Sequence, residues 1–387
     1  MSNLIASVVA EPGCVSRFRL AEWDLLIRQA RHSNLLARVH THLQNHGQMT
    51  LVPEEAARHL NWASTLASRH ADLVRLEIEE IHRALAPLGG PVVLLKGAAY
   101  LAAGLPAGRG RVFTDIDILV RRPDLERSEK ALQKQGWATT HLNRYDQKYY
   151  RKWMHELPPM KHTVRKSLVD VHHGILPPTS RLSPSAEKLF SAIVPVAGWD
   201  GLYTLSREDM VLHSACHLFH DGEFEHGLRD LVDMDALLRE FAREAGYWEK
   251  LVDRALDMDL IRPLFYALTY CRSLLDTPVP EQTLQRVRDE ARVPSPVLDL
   301  MDNLLRRGLS PAHHSCEDRF TGLAHWLLYV RSHYLRMPFH LLLPHLAHQA
   351  FVVPINQRMA EREKTRTPTL QQLLARRARL PDEHRDP

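Results

Sequence analysis

At 387 residues, of which 44% are hydrophobic, the chain is long enough for one large core or two to three smaller ones, and its composition predicts a soluble globular protein. Fifty basic and 46 acidic residues leave a formal charge of only +4, a balance that gives no support to a nucleic-acid groove. Cys14, Cys216, Cys271 and Cys316 are scattered without CxxC spacing, which suits reduced thiols in a cytoplasmic protein better than a disulfide framework.

No basic leader precedes a long apolar run in MSNLIASVVAEPGCVSRFRL, so a secretory signal is not expected. From Ala21 to about Leu85, apolar residues recur at three- and four-residue spacing and predict several helices, one of them starting at Pro53. The charges Arg69, Asp72, Arg75, Glu77, Glu79 and Glu80 read as its solvated face. Gly89, Gly90 and Pro91 end that helical region and release the chain into VVLL, an apolar run expected as a buried strand.

Lys96 and Gly97 then make a strand-to-helix turn before the small-residue helix AAYLAAGL. A glycine there lets backbone N–H groups approach an anion at the positive end of a helix, although the same residues also fit a plain tight turn. PAGRGR reads as a flexible basic loop. It leads into TDIDILV, where the period of two puts Asp115 and Asp117 on one face and Ile116 and Ile118 on the other. After Pro123 a helix is expected to end at Gly136, and WATTHL to form a strand; residues 143–162 fit a loop or a strand pair. SLVDVHHGI alternates again, so that Asp170 and His172 share a face.

PPTSRLSP, residues 177–184, reads as a linker, and helices are predicted beyond it. His213 and His217 have the i, i+4 spacing of a zinc pair, but Ser214 stands where a metalloprotease HExxH has its glutamate. Arg229, Asp230 and Asp233 are expected to form a structural salt bridge more readily than a substrate contact. Residues 337–355 are broken by three histidines and three prolines and read as a buried or interfacial helix rather than a membrane span. The last thirty residues read as a mobile basic tail.

Carboxylates gathered at one sheet edge repel one another, which makes divalent cations their natural partners; Mg²⁺, which prefers hard oxygens and phosphates, points to phosphoryl or nucleotidyl transfer. The order LLKG, Arg111, DIDILV and VDVHH, with GW at 136–137 and the later LHSACHLFH and LRDLVDMDALL, resembles the bacterial uncharacterised nucleotidyltransferase family of the DNA-polymerase-β-like superfamily. The likeness runs over about residues 20–240. It implies an α+β fold in which a small mixed β-sheet core, 89–180, is flanked by an N-terminal helical region, 1–88, and a C-terminal helical domain, 181–357, before a tail at 358–387.

The resemblance further implies Asp115, Asp117 and Asp170 as the metal-binding and catalytic carboxylates for Mg²⁺ or Mn²⁺, with Gly97 as the phosphate-facing turn. An NTP would be the donor, and the acceptor a small molecule, a sugar phosphate, or a peptide or protein side chain. Lys96, Ala98, Arg111 and His172 are the further candidates for nucleotide contact. The superfamily commonly carries Gly-Ser or Gly-Gly at the turn, whereas Gly97-Ala98 offers no hydroxyl. A non-catalytic nucleotide-binding or scaffolding protein of the same fold is the competing expectation, and an RNA-modifying transferase would need a basic groove that the sequence does not show.

Overall fold

The computed structural model describes residues 3–140, 144–222, 224–338 and 342. Residues Met1–Arg336 gather into one compact unit, set apart from Met337–Pro387. The tail, and all but three residues of the apolar segment 337–355, lie outside the described residues. Among those described, no helix is long and apolar enough to cross a membrane.

The first unit is built on a mixed seven-stranded sheet: β1 Val92–Leu94, β2 Ile116–Leu119, β3 Trp137–Thr139, β4 Met160–His162, β5 Leu168–His172, β6 Val194–Pro195 and β7 Leu202–Thr204. Their order is β3-β4-β5-β2-β1-β7-β6. β2 runs parallel to β5, and β1 parallel to β7, while β1 and β2 are antiparallel. The central strands β1 and β2 are buried on both faces, which explains why VVLL is a continuous apolar run. In β2 burial has to include Asp117, and that makes the residue a demand on the fold as well as a chemical group.

Two helices, Leu20–His32 and Leu36–Asn45, take up the first periodic stretch and are separated where Asn34 adopts a φ of 55°. The helix Glu54–Leu85 starts after Pro53 and packs on the helices Lys96–Ala102 and Leu125–Lys134 that flank the sheet. Its charged face is mainly solvated, but Glu77 accepts a hydrogen bond from Ser167 Oγ at 2.8 Å and pairs with Arg165, tying the helix to the β4–β5 turn.

Three expectations are changed by longer-range contacts. Residues 143–162 contain the helix Arg144–Trp153 followed by β4. The sheet does not stop at 180, because the short strands β6 and β7 return to pair beside β1. The 177–184 linker is tied down: Thr179 Oγ1 donates to the Arg336 carbonyl at 2.8 Å, and Ser180 Oγ lies 2.8 Å from His220 Nε2. The N- and C-terminal helical regions also meet, since the helix Leu4–Ala10 packs on the helix Ile261–Leu275 and Gln29 Nε2 donates to Ser315 Oγ at 3.0 Å.

Candidate active site

Beyond the end of β1 the backbone turns at Lys96, whose φ of 44° lies in the left-handed region that side-chain-bearing residues rarely enter. The Leu95 N–H donates to the Asp117 carbonyl at 3.0 Å, so this turn is clamped to the acidic strand beside it. Gly97, expected as the phosphate-facing turn, is buried, and a Cβ on it would stand 2.2 Å from Arg111 Nη1. The glycine is therefore accounted for by the close approach of a guanidinium. Ala98 is 2% exposed and its methyl joins the core, so its side chain does not face the cleft.

A polar cavity of about 100 Å³ opens here. Its floor is Lys96, Thr114, Asp115 and Asp117, and its wall includes Arg111, His217, Arg229, Asp230 and Asp233. On the floor, Asp117 Oδ1 accepts from Lys96 Nζ at 3.2 Å and from His172 Nε2 at 3.1 Å. Asp115 Oδ1 accepts from Thr114 Oγ1 at 3.0 Å. Asp170 is the register partner of Asp117 on the parallel strand β5, which puts the two residues side by side on one face of the sheet.

The charges of the floor are unequally balanced. Burial and then the neighbouring charge of Asp117 push the Asp115 carboxyl up, against the opposing pull of Lys96. Burial also acts on Asp117, but Lys96 and the hydrogen bond from His172 outweigh it and hold this carboxyl well below the usual range. Burial lowers His172 despite the opposing effect of Asp117. Neutral His172 therefore places its proton on Nε2, toward an acceptor-only carboxylate.

The wall is different. Asp233 accepts from Arg38 Nη2 and from Arg111 Nε, each at 2.7 Å. Asp230 pairs with Arg229 at 2.9 Å and lies 4.0 Å from Arg111. Arg38 also donates to the Pro106 carbonyl at 2.6 Å and to that of Ala107, so the PAGRGR loop, expected to be flexible, is pinned at its start. Arg111 is 8% exposed rather than solvated. Its burial opposes the charge, but Asp233 and Asp230 outweigh that effect and raise the guanidinium's pKa.

Residues 20–276 match the family described as uncharacterised nucleotidyltransferase. The chain belongs to that family. No curated protein and no solved structure matches the chain. The matched span reaches beyond the motifs at 20–240 and takes in the whole cleft of this nucleotidyltransferase-family chain, from Lys96 to Asp233.

Among the described residues, one group of histidine and acidic side chains brings its donor atoms all within 4.8 Å of one another, and it is His155, Glu156 and His172. Asp115, Asp117 and Asp170 do not form such a group as their side chains stand. Mutual repulsion separates carboxylates, and Asp117 is drawn instead to Lys96 and His172. His213 is buried, whereas His217 lines the cleft with Nδ1 3.9 Å from Asp230 Oδ2. His217 starts a π-helical turn, His217–Asp221, after the helix Arg207–Cys216; such turns recur at functional sites and leave no simple periodic mark in a sequence. Sequence reasoning missed Arg38, His155 and Glu156, none of which belongs to a motif.

Proposed function

We propose that this chain transfers a nucleoside monophosphate from an NTP to a hydroxyl or phosphate acceptor, with a divalent cation held by Asp115, Asp117 and Asp170. The observation that carries the reading is the pair of carboxylates at the start of β2, one raised by burial and then by the charge of the other, with Asp170 in register on β5. These are hard oxygen donors whose repulsion a cation relieves, so the residues fit Mg²⁺ or Mn²⁺. When bound, such an ion polarises phosphoryl oxygens and offsets the negative charge of the triphosphate.

The chain's own residues carry the remaining work. Lys96, at the mouth of the turn, exchanges its pairing with Asp117 for triphosphate oxygens. Arg111, held charged by Asp233 and Asp230, supplies a fixed positive wall. His172 orients Asp117 through its Nε2–H. Asp170 accepts the proton of the acceptor oxygen as that oxygen attacks the α-phosphorus, the P–O bond to the β-phosphate breaks, and pyrophosphate leaves. A cavity of about 100 Å³ suits the phosphate end of the donor, leaving sugar and base outside it.

The Lys96–Asp117 pair favours a second reading, a non-catalytic nucleotide-binding protein, because the lysine already neutralises that carboxylate. Pyrophosphate release from each of the four NTPs with Mg²⁺, over a set of hydroxyl and phosphate acceptors, separates the two. Release by the wild type that disappears in Asp117→Asn supports transfer. NTP binding without release across the set supports the second reading.

A further inference from the structure

Behind the cleft floor, the segment that follows the helix Arg144–Trp153 joins the end of β5. Glu156 and His172 form an antiparallel bridge, the Leu157 N–H donates to the Val171 carbonyl at 2.9 Å, and the His173 N–H donates to the His155 carbonyl at 2.8 Å. This backbone ladder sets three side chains together. The His155 and His172 rings are 5.2 Å apart, and Glu156 Oε2 lies 3.3 Å from His172 Nδ1.

The contact between Glu156 and His172 poses a charge problem. His172 Nε2 is 3.1 Å from Asp117 Oδ1, an acceptor, so its proton belongs on that side and Nδ1 turns a lone pair toward the Glu156 carboxylate. A carboxylate that faces an imidazole lone pair in a largely buried site is a natural place for a positive species between them. His155, 7% exposed, is the third donor, and its Nδ1 is buried with no hydrogen-bond partner among the described residues. A lone proton would not account for three donors converging.

We propose that His155, Glu156 and His172 bind a borderline divalent cation of the Zn²⁺ class, separate from the carboxylate site for Mg²⁺. Tetrahedral coordination with metal–ligand bonds of roughly 2.0–2.1 Å has an edge of about 3.3 Å. Glu156 Oε2 and His172 Nδ1 stand at that separation, 3.3 Å, and all three donor atoms lie within 4.8 Å of one another. An imidazole that binds a metal through one nitrogen commonly donates its other N–H to a carboxylate, and Asp117 occupies that outer position for His172. Two imidazoles and one carboxylate leave a coordination position for water. The cation would fix the tautomer of His172 and, through it, the orientation of Asp117, so the site is a positioning centre for the cleft.

The test uses the full chain without nucleotide, so it is independent of whether transfer occurs. The protein is stripped with chelator, reloaded with Zn²⁺ in the presence of excess Mg²⁺, and its metal content measured; a Co²⁺-loaded sample is examined by visible absorption. The expected result is about one Zn²⁺ per chain and the spectrum of a four-coordinate nitrogen and oxygen site. His155→Ala and Glu156→Gln, with circular dichroism like the wild type's, are expected to weaken Zn²⁺ binding at least about tenfold. A wild-type chain that retains no Zn²⁺ and gives no such spectrum overturns the site, as does unchanged affinity in either folded variant. Should His155→Ala fail to fold, Glu156→Gln and the wild-type Co²⁺ spectrum still decide.

Discussion

The floor and the wall of the cleft are both dense in charge, yet they are organised in opposite ways. In the wall, Arg38 and Arg111 share Asp233, and Arg229 holds Asp230, so buried charges from the N-terminal helices, the loop before β2 and the helix Gly227–Phe241 neutralise one another. On the floor, burial and then the charge of Asp117 raise Asp115 against the pull of Lys96, which pairs directly with Asp117. A paired network of this kind holds chain segments together. A carboxylate raised by burial and by a like charge beside it is a cost that a fold keeps where a ligand relieves it.

Breaking the wall should therefore destabilise the protein, while neutralising the floor should not. The largest effect is expected for Asp233→Ala, which leaves the guanidinium groups of Arg38 and Arg111 buried without their shared partner. A loss of about 3–5 kcal/mol is expected in urea denaturation. A loss under about 1 kcal/mol would show that the two arginines find equivalent partners.

Gly97→Ala comes next. Its added methyl meets Arg111 Nη1 at 2.2 Å and Phe113 Cδ1 at 3.0 Å, so both side chains must shift at a cost of roughly 1–3 kcal/mol. The same displacement moves Arg111 off the cleft, and NTP affinity should fall with stability. Unchanged affinity would separate Arg111 from nucleotide binding.

A smaller, graded effect should follow from pH. Burial, with help from His46 and Arg239, lowers His42 to about 4, and burial with Arg331 and Arg336 lowers His220 to about 3. Both are neutral in the fold, whereas the unfolded chain takes up their protons below the ordinary histidine value of about 6.5. Their contribution is thus intact above about pH 6.5 and is lost as pH falls toward 3–4. Between pH 6.5 and 5.5 each should cost about 1 kcal/mol, read as a falling melting temperature that His220→Phe makes shallower. Smallest of all is Glu126→Ala, which removes an exposed pair with Lys130 and should leave the melting temperature unchanged within error.

Much of this contrast could be read from residues alone, and the reasons for the remainder are physical. Period-two alternation within β5 placed Asp170 with His172, and Asp115, one residue before β2, lines the same cleft as Asp117. It could not show that Lys96 and His172 both turn to Asp117. Arg38 joins Asp233 across 195 residues, so no local pattern announces it. Gly97 reads as a phosphate turn in a linear sequence, and only the position of Arg111 shows what its missing Cβ accommodates. The strands β6 and β7, two and three residues long, are too short to carry a periodic signal; β1 offers β7 an edge, and β7 offers one to β6.

The account rests on the floor being kept for a ligand rather than for stability, and Asp115→Asn examines that claim most directly. The amide keeps the shape and the hydrogen bond from Thr114 while removing the charge that opposes Asp117. Mg²⁺-dependent pyrophosphate release and the melting temperature are measured together on this variant and the wild type. The expected result is release reduced to background with a melting temperature equal to or above that of the wild type. Retained release, or a melting temperature lowered as far as in Asp233→Ala, would contradict it.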